Sequence, residues 1–413
     1  MAIRAALALV VLPLLLSTPT VLGSQSTGSG VTLFASPAGP GSAQPQLTVS
    51  SRGVLLSWIE RAGDVASLKF AERTKDGWSA ARTVSSGRDW FVNWADVPSV
   101  LRLNDGSLYG HWLQKSGPDT YAYDVRLARS TDDGKTWGPS FLPHSDGTKT
   151  EHGFASLYQL PGSGGLGLVW LDGRAMKTRH GEHGGGDMSV RSTTYDKAGR
   201  QQSESAVDLR VCECCPTTAA VTADGPIVAY RDRSGTEIRD IYVSRFVGGK
   251  WSEPAPVHRD KWQIAACPVN GPALSAEGKT VALAWFTATG DEGHTFMAFS
   301  SDSGQTFGKP IRLDDASALG RVDAALLSDG SAMATWIEFA DGKARFRMRR
   351  VAPSGERGQA MTVAGLTANR ASGYPRMARF GDELIFAWTE SGTPSRVATA
   401  RLSLSQLQTS RER

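Results

Sequence analysis

The chain has 413 residues, 40% of them hydrophobic and 21% charged, with 45 Lys and Arg against 41 Asp and Glu. The apolar fraction excludes a disordered chain, and 4 Cys exclude a disulfide-dense mini-scaffold. A formal charge of +4, dispersed along the sequence, supplies no basic groove for nucleic acid.

Met1 to Gly23 reads as a secretory signal. Arg4 gives the positive start, AALALVVLPLLL the apolar stretch, and Val21-Leu22-Gly23 a small-residue cleavage site before Ser24. An uncleaved anchor is the alternative, but the run contains Pro13 and is short for the ~20 residues a span needs. The expectation is an exported protein, periplasmic or extracellular, with no membrane span in the mature chain and with thiols that tend to oxidise.

From residue 24 onward one pattern recurs, a short apolar strand ending in an aromatic residue. VLLSW ends at Trp58, LYGHW at Trp112, LGLVW at Trp170, PIVAY at Tyr230, VALAW at Trp285, AMATW at Trp336 and LIFAW at Trp388, a repeat of 51 to 60 residues. Before most copies stands a strand and a tight turn, such as Asp105-Gly106, Asp224-Gly225 or Asp329-Gly330, as a two-residue hairpin requires. A third strand (VRLARS, DIYVSRF, FMAFSS) and a fourth short one (TWGPSFL, KWSEPAPV) follow. Four antiparallel strands per ~50 residues is one propeller blade.

The predicted fold is therefore all-β: a seven-bladed β-propeller with four-stranded antiparallel blades, forming a single domain over 24–405 with a polar tail over 406–413. The last repeat lacks a fourth strand, and GVTLFAS at 30–36 is expected to supply it, closing the ring without an open edge. A β-sandwich followed by a second all-β domain is the other architecture, and it predicts no such even period.

Two turns, Ser130-Thr131-Asp132-Asp133-Gly134-Lys135-Thr136-Trp137 and Ser300-Ser301-Asp302-Ser303-Gly304-Gln305-Thr306-Phe307, match the Asp box. Degenerate versions end at Trp78 and Trp251. The Asp accepts backbone N–H bonds, the Gly permits positive φ and the aromatic plugs between strands, so the box staples a hairpin and carries no chemistry. On these residues the mature chain resembles the Asp-box (BNR repeat) propellers of the sialidase superfamily. Sialidases are six-bladed, which makes six the alternative count, and carry a Phe/Tyr-Arg-Ile-Pro motif; the corresponding strand here reads QPQLTVSS. Without that motif neither the arginine triad nor the Tyr/Glu nucleophile pair transfers to any position.

Loops leading into the innermost strands and loops after the second strands share one face, where propellers place function. The first set supplies Asp96, His152, Cys212, Cys214, Cys215, Cys267, Asn270, Arg321, Asp323, Tyr374 and Arg376. The second adds Asp172, Arg174, His180, His183, Arg231, Asp232 and His294. Two readings of the cysteines stand open. In an exported protein they form two disulfides, and if Cys267 takes one member of the triplet the other two must bridge across two residues or fewer. Alternatively Cys212, Cys214, Cys215 and Cys267 form a soft-metal or redox site, copper first and zinc second, with His180, His183, His152 or His294 as auxiliary ligands.

The enzymatic reading is a sialidase-like glycoside hydrolase that uses Asp96, Asp323, Arg321, Tyr374 and Arg376. Paired carboxylates run acid and base or nucleophile chemistry, and guanidinium forks match an acidic sugar. Against it, the same charges make ordinary interloop ion pairs. Trp90 and Trp94 either stack on a sugar or pack between blades, and His111, inside a strand, is read as a hydrogen-bonded packing residue. The expected partner is a small ligand, a metal ion or a glycan at the channel mouth. A crosslinked interaction scaffold is the third class.

Overall fold

In the computed structural model residues 30–162, 164–176, 186–202 and 204–409 are described. The signal reading, on residues 1–23, lies outside them. Seven antiparallel sheets follow one another around a ring. Blade 1 comprises Ser42–Ser50, Gly53–Ala62, Val65–Thr74 and Arg82–Gly87. Blade 2 has Ser99–Arg102, Leu108–Lys115 and Tyr123–Ser130, and a lone bridge from Leu127 to Phe141 stands where its fourth strand would be. Blade 3 comprises His152–Gln159, Leu166–Asp172, Met188–Tyr195 and Ser205–Val211. Blade 4 comprises Thr218–Thr222, Gly225–Arg231, Ile241–Val247 and Ala255–Pro256. Blade 5 comprises Ala273–Glu277, Thr280–Thr287, His294–Ser300 and Ile311–Arg312. Blade 6 comprises Ser317–Leu326, Ala332–Ala340, Lys343–Val351 and Met361–Leu366.

Blade 7 is composite. Arg376–Phe380, Glu383–Glu390 and Arg396–Ser403 come from the end of the chain, and Thr32–Phe34 adds its outer strand in register with Thr399 to Arg401. The closing strand is the one expected from GVTLFAS, and the count is seven rather than six. The tail departs from expectation: Leu404–Thr409 forms a short helix, with Leu404 and Leu407 packed on the apolar cluster of Val31, Leu384 and Leu402. Apolar residues at those two positions give the segment something to bury.

The repeating aromatic lies within the second strand of each blade, which runs on past it, and is buried because that strand is sandwiched on both faces between neighbouring sheets. Trp58, Trp112, Trp170, Tyr230, Trp285, Trp336 and Trp388 are each at most 3% exposed. The interior is consequently a series of interblade wedges. Trp336, for example, packs with Ala334 of blade 6 and Phe286 and Met297 of blade 5.

The two Ser-x-Asp turns act as staples. Asp132 accepts from Thr136 N at 2.9 Å and Thr136 Oγ1 at 2.6 Å, and Gly134 N donates to Ser130 Oγ at 2.9 Å. Asp302 repeats the arrangement with Thr306 at 2.9 and 2.6 Å. Burial acts to raise its pKa, but the Thr306 and Ser300 bonds outweigh it and draw the carboxyl down to about 2.

Candidate functional site

The innermost strands of all seven blades line an axial cavity of about 700 Å³. Asp96, Asp323, Tyr374 and Arg376 are among its lining residues, so four of the five proposed catalytic residues share one space. Arg321 is not among them. Its guanidinium donates to Gly373 O at 3.0 Å and to Asn369 O, and lies 4.7 Å from the Trp94 ring centroid. It braces the loop before blade 7, a correction to its assignment as a ligand-facing arginine.

Arg376 is half-buried, stacked 5.3 Å from the Tyr374 centroid, and its covered Nε has no hydrogen-bond partner among the described residues. Tyr374 is fixed by donating its hydroxyl to Val269 O at 2.6 Å, and burial pushes its pKa up to about 12. Asp323 accepts from Met377 N and Ala324 N, both at 2.9 Å, and burial raises its carboxyl.

Asp96 sits where the chain enters blade 2. Burial is the largest influence and raises its pKa to about 7, against the lowering effect of bonds from Phe154 N and Tyr123. The Tyr123 hydroxyl lies 3.2 Å from Asp96 Oδ2 and 2.7 Å from Glu151 Oε1, while Asp96 Oδ1 is buried without a partner. Two carboxyls thus share one phenol at the end of the cavity. Burial also pushes Glu151 up, to about 8. Neither Tyr123 nor Glu151 was singled out from the sequence; the strand read there, VRLARS, begins two residues after Tyr123.

The cysteines take the crosslinked form. Cys212 pairs with Cys215 at a sequence separation of 3, and Cys214 with Cys267 at a separation of 53, joining the approaches to blades 4 and 5. Cys212 and Cys215 are buried, and none of the four is among the residues lining the cavity, although Pro216, next to Cys215, is. Arg239 Nη1 donates to Cys212 Sγ at 3.3 Å and to Glu213 Oε2 at 2.9 Å. In this oxidised state the sulfurs offer no thiolate to a metal. No imidazole joins them among the described residues. His180 and His183 lie outside the described residues. His294 pairs with Asp314 at 3.1 Å. His152 belongs to another cluster, of Asp124, His144, Asp146 and Asp172, whose ligand-type atoms lie within 4.8 Å of one another in two overlapping sets. His144 and Asp146 carried no sequence signal, because the stretch from Thr131 to Glu151 has no strand periodicity, and Asp124 lies at the start of the third strand of blade 2 with nothing in the sequence to link it to them.

Several rim charges prove structural. Asp172 is held by Arg174 Nε and Nη2, both at 2.7 Å, and by Trp170 Nε1 at 2.8 Å. Arg231 donates to Asn270 O, Arg239 O and Phe286 O at 2.8, 2.6 and 2.7 Å. Trp90 stacks on Trp112 at 5.4 Å and Trp94 on Tyr374 at 5.9 Å. His111 is fully buried beside Ser99 Oγ at 3.1 Å, the packing role expected, and burial lowers its pKa to about 4.

No family model and no curated protein matches the chain. Among solved structures, polysaccharide lyase Uly1 is similar with a TM-score of 0.52 at 12% identity, over 93% of this chain and 94% of that one. A protein of unknown function from Dyadobacter fermentans DSM 18053 gives 0.51 at 14% identity, over 92% and 97%. What they share with this chain is the propeller fold. The K499G mutant of NanB sialidase from Streptococcus pneumoniae gives 0.49 at 10% identity, over 85% and 83%.

Proposed function

We propose that this chain is an exported, glycan-directed propeller that takes the acidic end of a sugar chain in its axial cavity, with sialidase-like hydrolysis as the reaction. The observation that carries the reading is Arg376, a guanidinium facing the cavity with an unpartnered Nε and a Tyr374 ring beneath it. A planar fork held in place is the group best matched to a sugar carboxylate. Asp96 supports the chemical step: a carboxyl with a pKa near 7 still carries a proton at neutral pH and can give it to a leaving glycosidic oxygen. Asp323 then supplies the second carboxylate of the same cavity.

Calorimetric titration with free sialic acid, alongside hydrolysis of a fluorogenic sialoside, tests the reading. Binding by the wild type that falls at least tenfold in Arg376→Gln is expected, with turnover lost in Asp96→Asn. Absence of acidic-sugar binding by the wild type overturns it.

A second reading rests on the sulfurs. Cys212, Cys214 and Cys215 are close enough to offer three sulfur ligands to one ion once reduced, with Cys267 bonded to the same cluster. On reduction they would form a soft site for copper first and zinc second. Metal content measured with and without a thiol reductant tests it; no uptake by the reduced protein removes it.

A further inference from the structure

The Asp124, His144 and His152 side chains meet where blade 2 passes into blade 3. Asp124 is the second residue of the third strand of blade 2, His152 opens the first strand of blade 3, and His144 and Asp146 come from the connection between them. His152 is fully buried and His144 is 5% exposed. Their rings stack at 3.9 Å with an interplanar angle of 5°.

Three ligand-type atoms converge on one side of the stack. Asp124 Oδ1 is 3.3 Å from His152 Nδ1 and 3.6 Å from His144 Nε2. All three atoms are buried without a hydrogen-bond partner among the described residues. Buried polar atoms are seldom left so, and three together, all able to donate a lone pair, mark a missing occupant. Ligands on a tetrahedron with metal bonds of about 2.1 Å stand roughly 3.4 Å apart, close to both measured separations.

Asp146 lies on the other side of the stack. Its Oδ1 is 2.9 Å from His144 Nδ1 and 3.4 Å from His152 Nε2. A carboxylate can only accept, so Asp146 draws a proton onto His144 Nδ1 and leaves the lone pair of His144 Nε2 facing Asp124, while His152 Nε2 is, like its Nδ1, buried without a hydrogen-bond partner among the described residues. Asp146 is itself oriented by Thr148 N at 3.1 Å and by the Thr148 hydroxyl.

The charges point the same way. Asp124, Asp146, Asp172 and Glu204 outnumber Arg174 and Arg191; Arg174 pairs with Asp172, Glu204 and, at 3.6 Å, Asp146, and Arg191 pairs with Glu204. No Lys or Arg pairs with Asp124 among the described residues. A proton on one imidazole offsets only part of the excess, and protonating both stacked rings sets like charges 3.9 Å apart.

We infer that Asp124, His144 and His152 form a divalent-cation site, zinc first by its imidazole and carboxylate donors, with Asp146 orienting His144 from behind. A fourth position is left to water, which the partial exposure of Asp124 permits. This site is distinct from the cysteines and independent of the sugar reading. It clips blade 2 to blade 3 beside the Tyr123 to Glu151 contact, since neighbouring residues in a strand face opposite ways. Loading requires the stacked rings to splay slightly so that both lone pairs reach one ion.

The test uses the full chain, stripped with chelator, then dialysed against zinc chloride and analysed for metal. About one zinc per chain is expected, with a rise in Tm of about 3 °C or more at excess zinc, and visible absorption bands on cobalt substitution. Asp124→Asn and His144→Gln, each checked for folding by circular dichroism, are expected to lose the metal and the Tm shift, whereas Cys214→Ser/Cys267→Ser keeps both. Wild-type protein that retains less than about a tenth of an equivalent and shows no shift overturns the inference. So does zinc held undiminished by both ligand variants.

Discussion

Tyr374 and Val269 are 105 residues apart in the chain and joined by a 2.6 Å hydrogen bond from phenol to carbonyl. Val269 has φ 48°, and two residues before it stands Cys267, bonded to Cys214. The tyrosine therefore holds a left-handed turn that the disulfide anchors from the other end. Tyr374→Phe keeps the ring and leaves the carbonyl bare, so a loss of about 1–3 kcal/mol is expected in urea unfolding. An unchanged midpoint would show that water replaces the phenol.

Arg376→Gln separates binding from stability. The wild-type guanidinium is partly desolvated with an unpartnered Nε, and burial lowers its pKa. Removing it should weaken acidic-sugar binding by about 10- to 100-fold, the worth of a charge-assisted bond. No direct ion pair to Arg376 is broken among the described residues, although its charge draws the buried Asp323 carboxyl down, so the variant's Tm should change little. A large fall in Tm would mark Arg376 as a structural residue.

Asp96 makes stability depend on pH. Its carboxyl titrates near 7 in the folded protein and near 3.8 when unfolded, so the folded state holds the proton more tightly. The stability this contributes is complete below about pH 4 and is lost as pH rises through 7, on the order of 4 kcal/mol at most. Asp96→Asn should flatten that dependence, and its stability relative to wild type should improve between pH 5 and pH 8. Parallel pH profiles of the two proteins would contradict the assignment.

Arg231→Ala should be among the most damaging single changes. It strips three backbone carbonyls of their donor and removes a guanidinium 4.9 Å from the Trp262 centroid. Each bare carbonyl costs about 1–3 kcal/mol, so poor soluble yield or a Tm lowered by more than 10 °C is expected. Arg231→Lys should rescue little, since one ammonium cannot span the same three oxygens.

Cys214→Ser/Cys267→Ser releases a crosslink that spans 53 residues. The chain-entropy relation gives a loss of about 4 kcal/mol as an upper figure, read from the urea midpoint. Removing the short Cys212 to Cys215 link should cost less.

The ring was legible because the second strand of each blade is covered on both faces, which forces an apolar run ending in a large aromatic at a fixed interval. Charges and loops were not. Arg231 and Arg321 read as rim charges, yet both spend their donors on backbone carbonyls, and sequence does not show where carbonyls lie. Four cysteines permit three pairings, and spacing does not choose among them. His152 was noticed, but its partner His144 sits in a connection without periodicity, and only the passage from blade 2 to blade 3 brings the two rings together.

The outer strand of blade 7 comes from residues 32–34 and its neighbours from residues 376–403. During synthesis the front of the chain must therefore wait, its edge unzipped, until Arg396–Ser403 has been made. A product that stops before Arg396 would lack its hairpin partner and leave two adhesive borders open. Assembly is thereby tied to that one strand, and a seam that never seals marks a molecule made without it.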